Sequence, residues 1–127
     1  MSPLFRKSEK KIAEEAAAQA EIERLKTLSV EDLAVALLPG LGAVGANQGH
    51  SVRVQQLCNY LVRDFPGAGQ VKALQLMARV GGALEKLEHA ELVSSMSYER
   101  SPIWRITRLG DTTLAEGTIE QHVRKAG

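Results

Sequence analysis

Residues 83–107, ALEKLEHAELVSSMSYERSPIWRIT, change from a helical to an alternating pattern of apolar residues within one segment. Leu84 and Leu87 follow the three-to-four spacing of an amphipathic helix, whereas the residues from Val93 onward alternate between apolar and polar. A polar stretch, residues 99–102, separates two such alternating runs. The segment therefore predicts the end of a helix that leads directly into a two-stranded antiparallel hairpin.

Helical patterns precede this segment. Residues 8–28 contain only helix formers, and their thin apolar stripe fits either an arm docked on the domain or a dimerisation helix. Ser29 begins a capping-box-like start to a short helix, which we expect to end at Pro39. The glycine-rich residues 39–50 then predict a loop, and residues 52–65 predict another amphipathic helix that ends at Pro66.

The helix that leads into the hairpin has two alternative beginnings. Apolar residues from Gln70 to Leu92, Val71 and Met77 among them, keep a helical spacing, and the stretch 73–78 contains no turn residue. Either the chain turns at 66–69 and one long helix follows, or the helix breaks at Gly81 and Gly82. After the hairpin, Thr107 predicts the cap of a C-terminal helix, in which Gly110 and Gly117 are weak points.

Length and composition limit the classes of function that this chain is expected to have. The chain has 127 residues, 44% hydrophobic and 24% charged, which fits one compact domain and is too short for two catalytic domains. A formal charge of +1 is not typical of a dedicated nucleic-acid binder, and 4% aromatic residues argue against a stacking platform for single strands. The lone Cys58 favours a reducing compartment. No run of apolar residues is long enough to span a bilayer, and the N-terminal residues do not resemble a secretory signal. We therefore expect a cytoplasmic protein without a membrane partner.

Two motifs carry a resemblance to a known family. The segment ALEKLEHAELV, residues 83–93, resembles the end of the third helix of MarR-type and PadR-type bacterial regulators, which leads straight into the first strand of the wing. The segment WRITRLGDTTLAE, residues 104–116, is similar to their second wing strand and following helix. The resemblance covers about residues 51–117 and implies a winged-helix architecture. The expected fold is thus mainly α with a small two-stranded antiparallel β hairpin, built as an N-terminal helical arm, residues 1–28, and a winged-helix domain, residues 29–127.

The resemblance implies that the protein binds duplex DNA, as a transcriptional regulator or nucleoid accessory factor and as a homodimer formed through its N-terminal or C-terminal helix. The alternative is a winged helix that serves as a protein-interaction or dimerisation module without DNA binding. The donors expected to contact DNA share the third helix, the hairpin and its end: Lys72, Gln75, Arg79, Lys86, Arg100, Arg105 and Arg108. Glutamates on the same elements, among them Glu85 and Glu88, oppose a phosphate backbone.

The sequence carries no catalytic constellation. Gly40, Gly42 and Gly45 form a G-x-G-x-x-G string, but it follows a predicted helix rather than a strand, so we read it as a flexible linker. His50, His89 and His122 lack the spacing of metal ligands, and Cys58 lies on an apolar helix face. We therefore expect a protein that is not an enzyme and that holds no metal or cofactor.

Overall fold

The computed structural model describes residues 3–47 and 51–126, and side chains within 9–44 and 51–125. A single 3-10 turn, Leu74–Leu76, joins the fourth and fifth helices. The helices are α1 Pro3–Thr27, α2 Val30–Asn47, α3 Val54–Leu61, α4 Gly69–Ala73, α5 Met77–His89, α6 Arg108–Glu116 and α7 Ile119–Ala126; the strands are β1 Val93–Tyr98 and β2 Ser101–Ile106. The predicted class, mainly α with a two-stranded antiparallel hairpin, is confirmed.

The hairpin has a tighter turn than the sequence predicted. β1 and β2 pair with Val93 opposite Ile106 and Tyr98 opposite Ser101, so only Glu99 and Arg100 form the turn. Both turn residues have positive φ, 49° and 68°, as in the turns that match the twist of a hairpin. The second strand therefore begins two residues before the expected position at 103.

A short third segment extends the sheet beside β2. Val52 forms an isolated antiparallel bridge with Trp104, in which each backbone N–H donates to the other residue's carbonyl oxygen at 2.8 Å. The backbone order is therefore Val52, β2, β1. This bridge ties the segment before α3 to the hairpin.

Helix α2 lies at the centre of the core. Its Leu37, Leu38 and Leu41 are almost completely inaccessible to solvent, and it packs against α3, α5 and α7. Helix α1 docks through the buried side chains of Ala18, Ile22 and Leu25, as expected for a docked arm.

The expected helix end at Pro39 and loop from residue 39 are wrong for residues 39–47, because α2 continues through Pro39 to Asn47. Residues 48–50, including His50, lie outside the described part of the chain. Proline removes one helical hydrogen bond, which burial of the leucines on both sides offsets. Gly40 belongs to the helix for a packing reason: a Cβ there would lie 2.6 Å from Cδ2 of Tyr60.

The helix that leads into the hairpin breaks at residues 74–76, within the stretch where the sequence predicted continuous helix. The predicted turn before residue 69 is present, but α5 runs uninterrupted through Gly81 and Gly82. The 3-10 turn needs no glycine because its residues keep right-handed angles, for example φ −64° and ψ −15° at Leu74. At the C-terminus the single expected helix is divided into α6 and α7 by Gly117, whose φ is +69°.

Candidate nucleic-acid interface

The residues predicted to contact DNA are spread over one continuous stretch from α4 to α6. Lys72 lies in α4, Gln75 in the 3-10 turn, and Arg79 and Lys86 in α5. Arg100 forms the tip of the hairpin. Arg105 lies in β2, and Arg108 is the first residue of α6.

Three of these side chains are engaged within the protein. Lys72 Nζ lies 3.8 Å from Glu15 Oε2, and Lys86 Nζ lies 3.7 Å from Glu31 Oε1. Gln75 exchanges hydrogen bonds with Gln19 and accepts another from Lys26 at 3.1 Å.

These contacts connect α4, the 3-10 turn and α5 to the first two helices. They involve residues far apart in sequence, so the local patterns that placed Lys72 and Lys86 on exposed helix positions could not predict them. The residues of both ion pairs are half-buried, and their pairing lowers the charge that Lys72 and Lys86 can offer to a phosphate.

Four arginines remain open to solvent. Arg79, Arg100, Arg105 and Arg108 are all exposed, and none forms an ion pair with a carboxylate within the described residues. Arg79 lies at the beginning of α5, the hairpin contains Arg100 and Arg105, and Arg108 begins α6. A guanidinium that is exposed and unpaired can donate to a base edge or a phosphate without first losing a partner.

Acidic residues share the same elements. Glu85, Glu88, Glu91 and Glu99 are exposed, and Glu88 accepts a hydrogen bond from Ser95 Oγ at 2.7 Å. This bond fixes the hairpin against the C-terminal half of α5. The acidic residues therefore accompany the second half of α5 and the hairpin tip, whereas Arg79 lies in the first turn of α5.

The hairpin separates its aromatic residues between two faces. Trp104 is buried, and its indole N–H finds no acceptor within the described residues, whereas Tyr98 is 55% exposed. Met96 lies on the same face as Tyr98 and is 56% exposed. Tyr98 is therefore the exposed aromatic residue of the hairpin.

Two apolar residues lie outside the core that their spacing predicted. Val71 is 83% exposed and Met77 is 38% exposed. The 3-10 turn between them advances the chain by a different angle per residue than an α-helix does, so a single helical stripe does not continue through it. One exposed apolar side chain therefore lies in α4 and another at the beginning of α5.

The described cysteine and histidine side chains do not form a site. Burial raises the pKa of the Cys58 thiol to about 11, so the thiol is neutral and, as predicted, faces the core. His89 is exposed and His122 is half-buried. Among the described residues no group of three His, Cys, Asp or Glu could hold a metal ion.

No protein-family model, curated protein or solved structure matches this chain. In the described ranges, no helix has the length and apolar character needed to cross a bilayer.

Proposed function

We propose that this chain is a winged-helix protein that binds duplex DNA. The observation that carries the proposal is the group of four exposed, unpaired arginines on α5, the hairpin and the start of α6. Winged-helix proteins contact DNA through the third helix of the domain and the wing that follows it. The arginines lie on the elements that would have these roles.

The order of elements supports the winged-helix part of the proposal. α2 is followed by the Val52 bridge, α3, the pair α4 and α5 with its 3-10 turn, and then the hairpin. In this arrangement α3 and the third helix, which consists of α4, the 3-10 turn and α5, form the helix-turn-helix, and β1 and β2 form the wing. The Val52 bridge supplies the short additional strand that connects the helices to the wing.

In this proposal the beginning of α5 enters the major groove. Arg79 lies in the first turn of α5, where a guanidinium can donate two hydrogen bonds to O6 and N7 of guanine. Arg100 and Arg105 contact phosphates or the minor groove from the wing, and Arg108 contacts the adjacent backbone. Phosphate contacts by at most three arginines give a moderate salt dependence. The role that we propose for such a protein is that of a transcriptional regulator or nucleoid accessory factor.

A second candidate is a winged helix that binds a protein. The specific observation in its favour is the exposure of Val71 in α4 and of Met77 at the beginning of α5, since exposed apolar side chains suit a protein partner better than a phosphate backbone. The pairing of Lys72 and Lys86 with carboxylates points the same way.

Fluorescence anisotropy with labelled duplex DNA at a series of salt concentrations separates the two candidates. The test variant is Arg79→Ala with Arg100→Ala, and the control is Arg24→Ala with Arg124→Ala. The control removes the same charge from arginines of α1 and α7 that are paired with Glu21 and Glu120.

We expect the test variant to weaken binding and to reduce the slope of log affinity against log salt by about 1, the share of the Arg100 phosphate contact, while the control leaves the slope unchanged. Absence of wild-type binding at low salt, or equal losses in both variants, would contradict DNA binding through this surface and favour the protein-binding candidate.

A further inference from the structure

The outer edge of β1 is unpaired within the described residues. The sheet order is Val52, β2, β1. β2 pairs with β1 on one side and with Val52 at Trp104 on the other, whereas β1 is paired on one side only. The backbone N–H and carbonyl of Trp104 point to Val52 and away from β1. Ser95, which lies opposite Trp104 in β1, is therefore not hydrogen-bonded to it through the backbone. The backbone groups of Val93, Ser95 and Ser97 therefore point outward from the edge of β1.

This edge lacks the features that protect edge strands. Residues 93–98, VSSMSY, contain no charged residue and no proline, whereas β2 carries Pro102. Two neighbouring residues of its exposed face, Met96 and Tyr98, are each more than half exposed. A neutral edge with free backbone groups and an apolar face is suited to pair with another strand.

We propose that β1 pairs with β1 of a second copy in antiparallel orientation, which joins the two hairpins into one continuous sheet. Side chains stay on matching faces when Met96 lies opposite Met96 of the second copy. This register places Ser94 opposite Tyr98 of the second copy, and the outward backbone groups of Ser95 meet those of Ser97.

The register is complementary in shape and charge. Ser94 is small and lies between Arg105 on its own sheet and the tyrosine of the second copy, so the Tyr98 ring has room to extend over Ser94 toward the Arg105 guanidinium. A cation facing an aromatic ring is attracted to it, and the guanidinium N–H groups remain available at its edge. No like charges meet along residues 93–98. A second copy therefore fits this edge better than a partner that needs a charged recognition strand.

Cysteine cross-linking and sedimentation test the proposal on the full chain. Met96→Cys places two thiols opposite each other at the two-fold axis, where paired side chains without direct hydrogen bonds lie close enough for a disulfide. The matched control is Met77→Cys, which changes an exposed methionine of α5. The native Cys58 is buried and does not compete.

We expect a disulfide-linked dimer of Met96→Cys and none of Met77→Cys. Met96→Lys places two positive charges together and should raise the dimer dissociation constant by about tenfold or more, whereas Met77→Lys should leave it unchanged. Circular dichroism of both lysine variants checks that they fold. A wild-type protein that sediments as a monomer at about 100 μM, or a dimer that Met96→Lys does not weaken, would overturn the proposal, and DNA binding is measured separately from this result.

Discussion

Glu91 follows the last turn of α5 in a conformation that glycine adopts more readily. Its φ is +66°, and the N–H of Glu91 donates to the carbonyl of Glu88 at 2.9 Å while the N–H of Leu92 donates to that of Leu87 at 2.9 Å. This is the hydrogen-bond pattern of a Schellman cap, in which the residue after the helix is left-handed. We therefore predict that Glu91→Gly stabilises the protein.

The expected size follows from two opposing terms. A left-handed backbone conformation destabilises a residue that has a Cβ by about 1–2 kcal/mol, and glycine avoids this cost. Glycine loses more chain entropy on folding, which lowers the gain in stability by about 0.5–1 kcal/mol. The Glu91 side chain is exposed and forms no ion pair or hydrogen bond within the described residues, so its removal adds little. The net gain should be about 0.5–1 kcal/mol, which raises Tm by about 2–5 °C.

Urea denaturation followed by circular dichroism measures this gain. Glu91→Gln removes the charge but keeps the strain and should change stability little. Glu85→Gly places glycine inside α5 and should cost about 1 kcal/mol. If Glu91→Gly destabilised the protein as much as Glu85→Gly does, the left-handed cap would be refuted.

Three further predictions concern the wing, its anchor and the core. Gly110→Ala should lower the free energy of unfolding, measured by urea denaturation, by about 1–3 kcal/mol, because a Cβ there would collide with the carbonyl of Leu92. As a control, a Cβ at Gly81 meets no atom, so Gly81→Ala should stabilise α5 by about 0.5–1 kcal/mol. Equal effects of the two substitutions would contradict this packing. Glu99→Asn combined with Arg100→Gly should raise stability by about 1 kcal/mol, since both positions have positive φ, yet weaken DNA binding in the anisotropy assay; loss of stability would contradict the turn geometry. Above pH 9 the Cys58 thiol loses its proton in the unfolded state, whereas burial raises its pKa to about 11 in the folded state, which keeps the proton. The free energy of unfolding should therefore fall between pH 9 and 11 by up to about 1.4 kcal/mol per pH unit, and Cys58→Ala should remove this dependence. The same pH dependence in Cys58→Ala would contradict the burial of the thiol.

The sequence predicted those elements whose signals are local. The change from helical to alternating spacing located the hairpin, and Thr107 accepts the predicted capping hydrogen bond from the N–H of Gly110 at 3.0 Å. Ser29 likewise accepts a bond from the N–H of Asp32 at 3.1 Å at the start of α2.

Elements decided by tertiary packing were not predictable in this way. Pro39 is a local helix breaker, yet α2 continues because Leu37 and Leu41 are buried and Gly40 lies against the ring of Tyr60. The exposure of Val71 follows from a 3-10 turn that contains no glycine or proline.

The candidate site also combines features that local sequence patterns predict with features that depend on tertiary packing. Exposed arginines at the hairpin and at the start of α5 could be found from their position in sequence, since each lies in an element with a clear pattern. The ion pairs that engage Lys72 and Lys86 depend on how α1 and α2 pack against α4 and α5, which no local pattern records. The sequence therefore placed the candidate donors on their elements, and packing determined which of these side chains are unpaired within the described residues.

Titration of ¹⁵N-labelled protein with an unlabelled DNA duplex, followed by two-dimensional NMR, tests DNA binding through α5 and the wing most directly. The account predicts that amide signals of residues 75–81 and 97–105 shift together with added duplex, while those of α1 and α7 stay in place. Shifts confined to α1 or α7, or none at low salt, would contradict it.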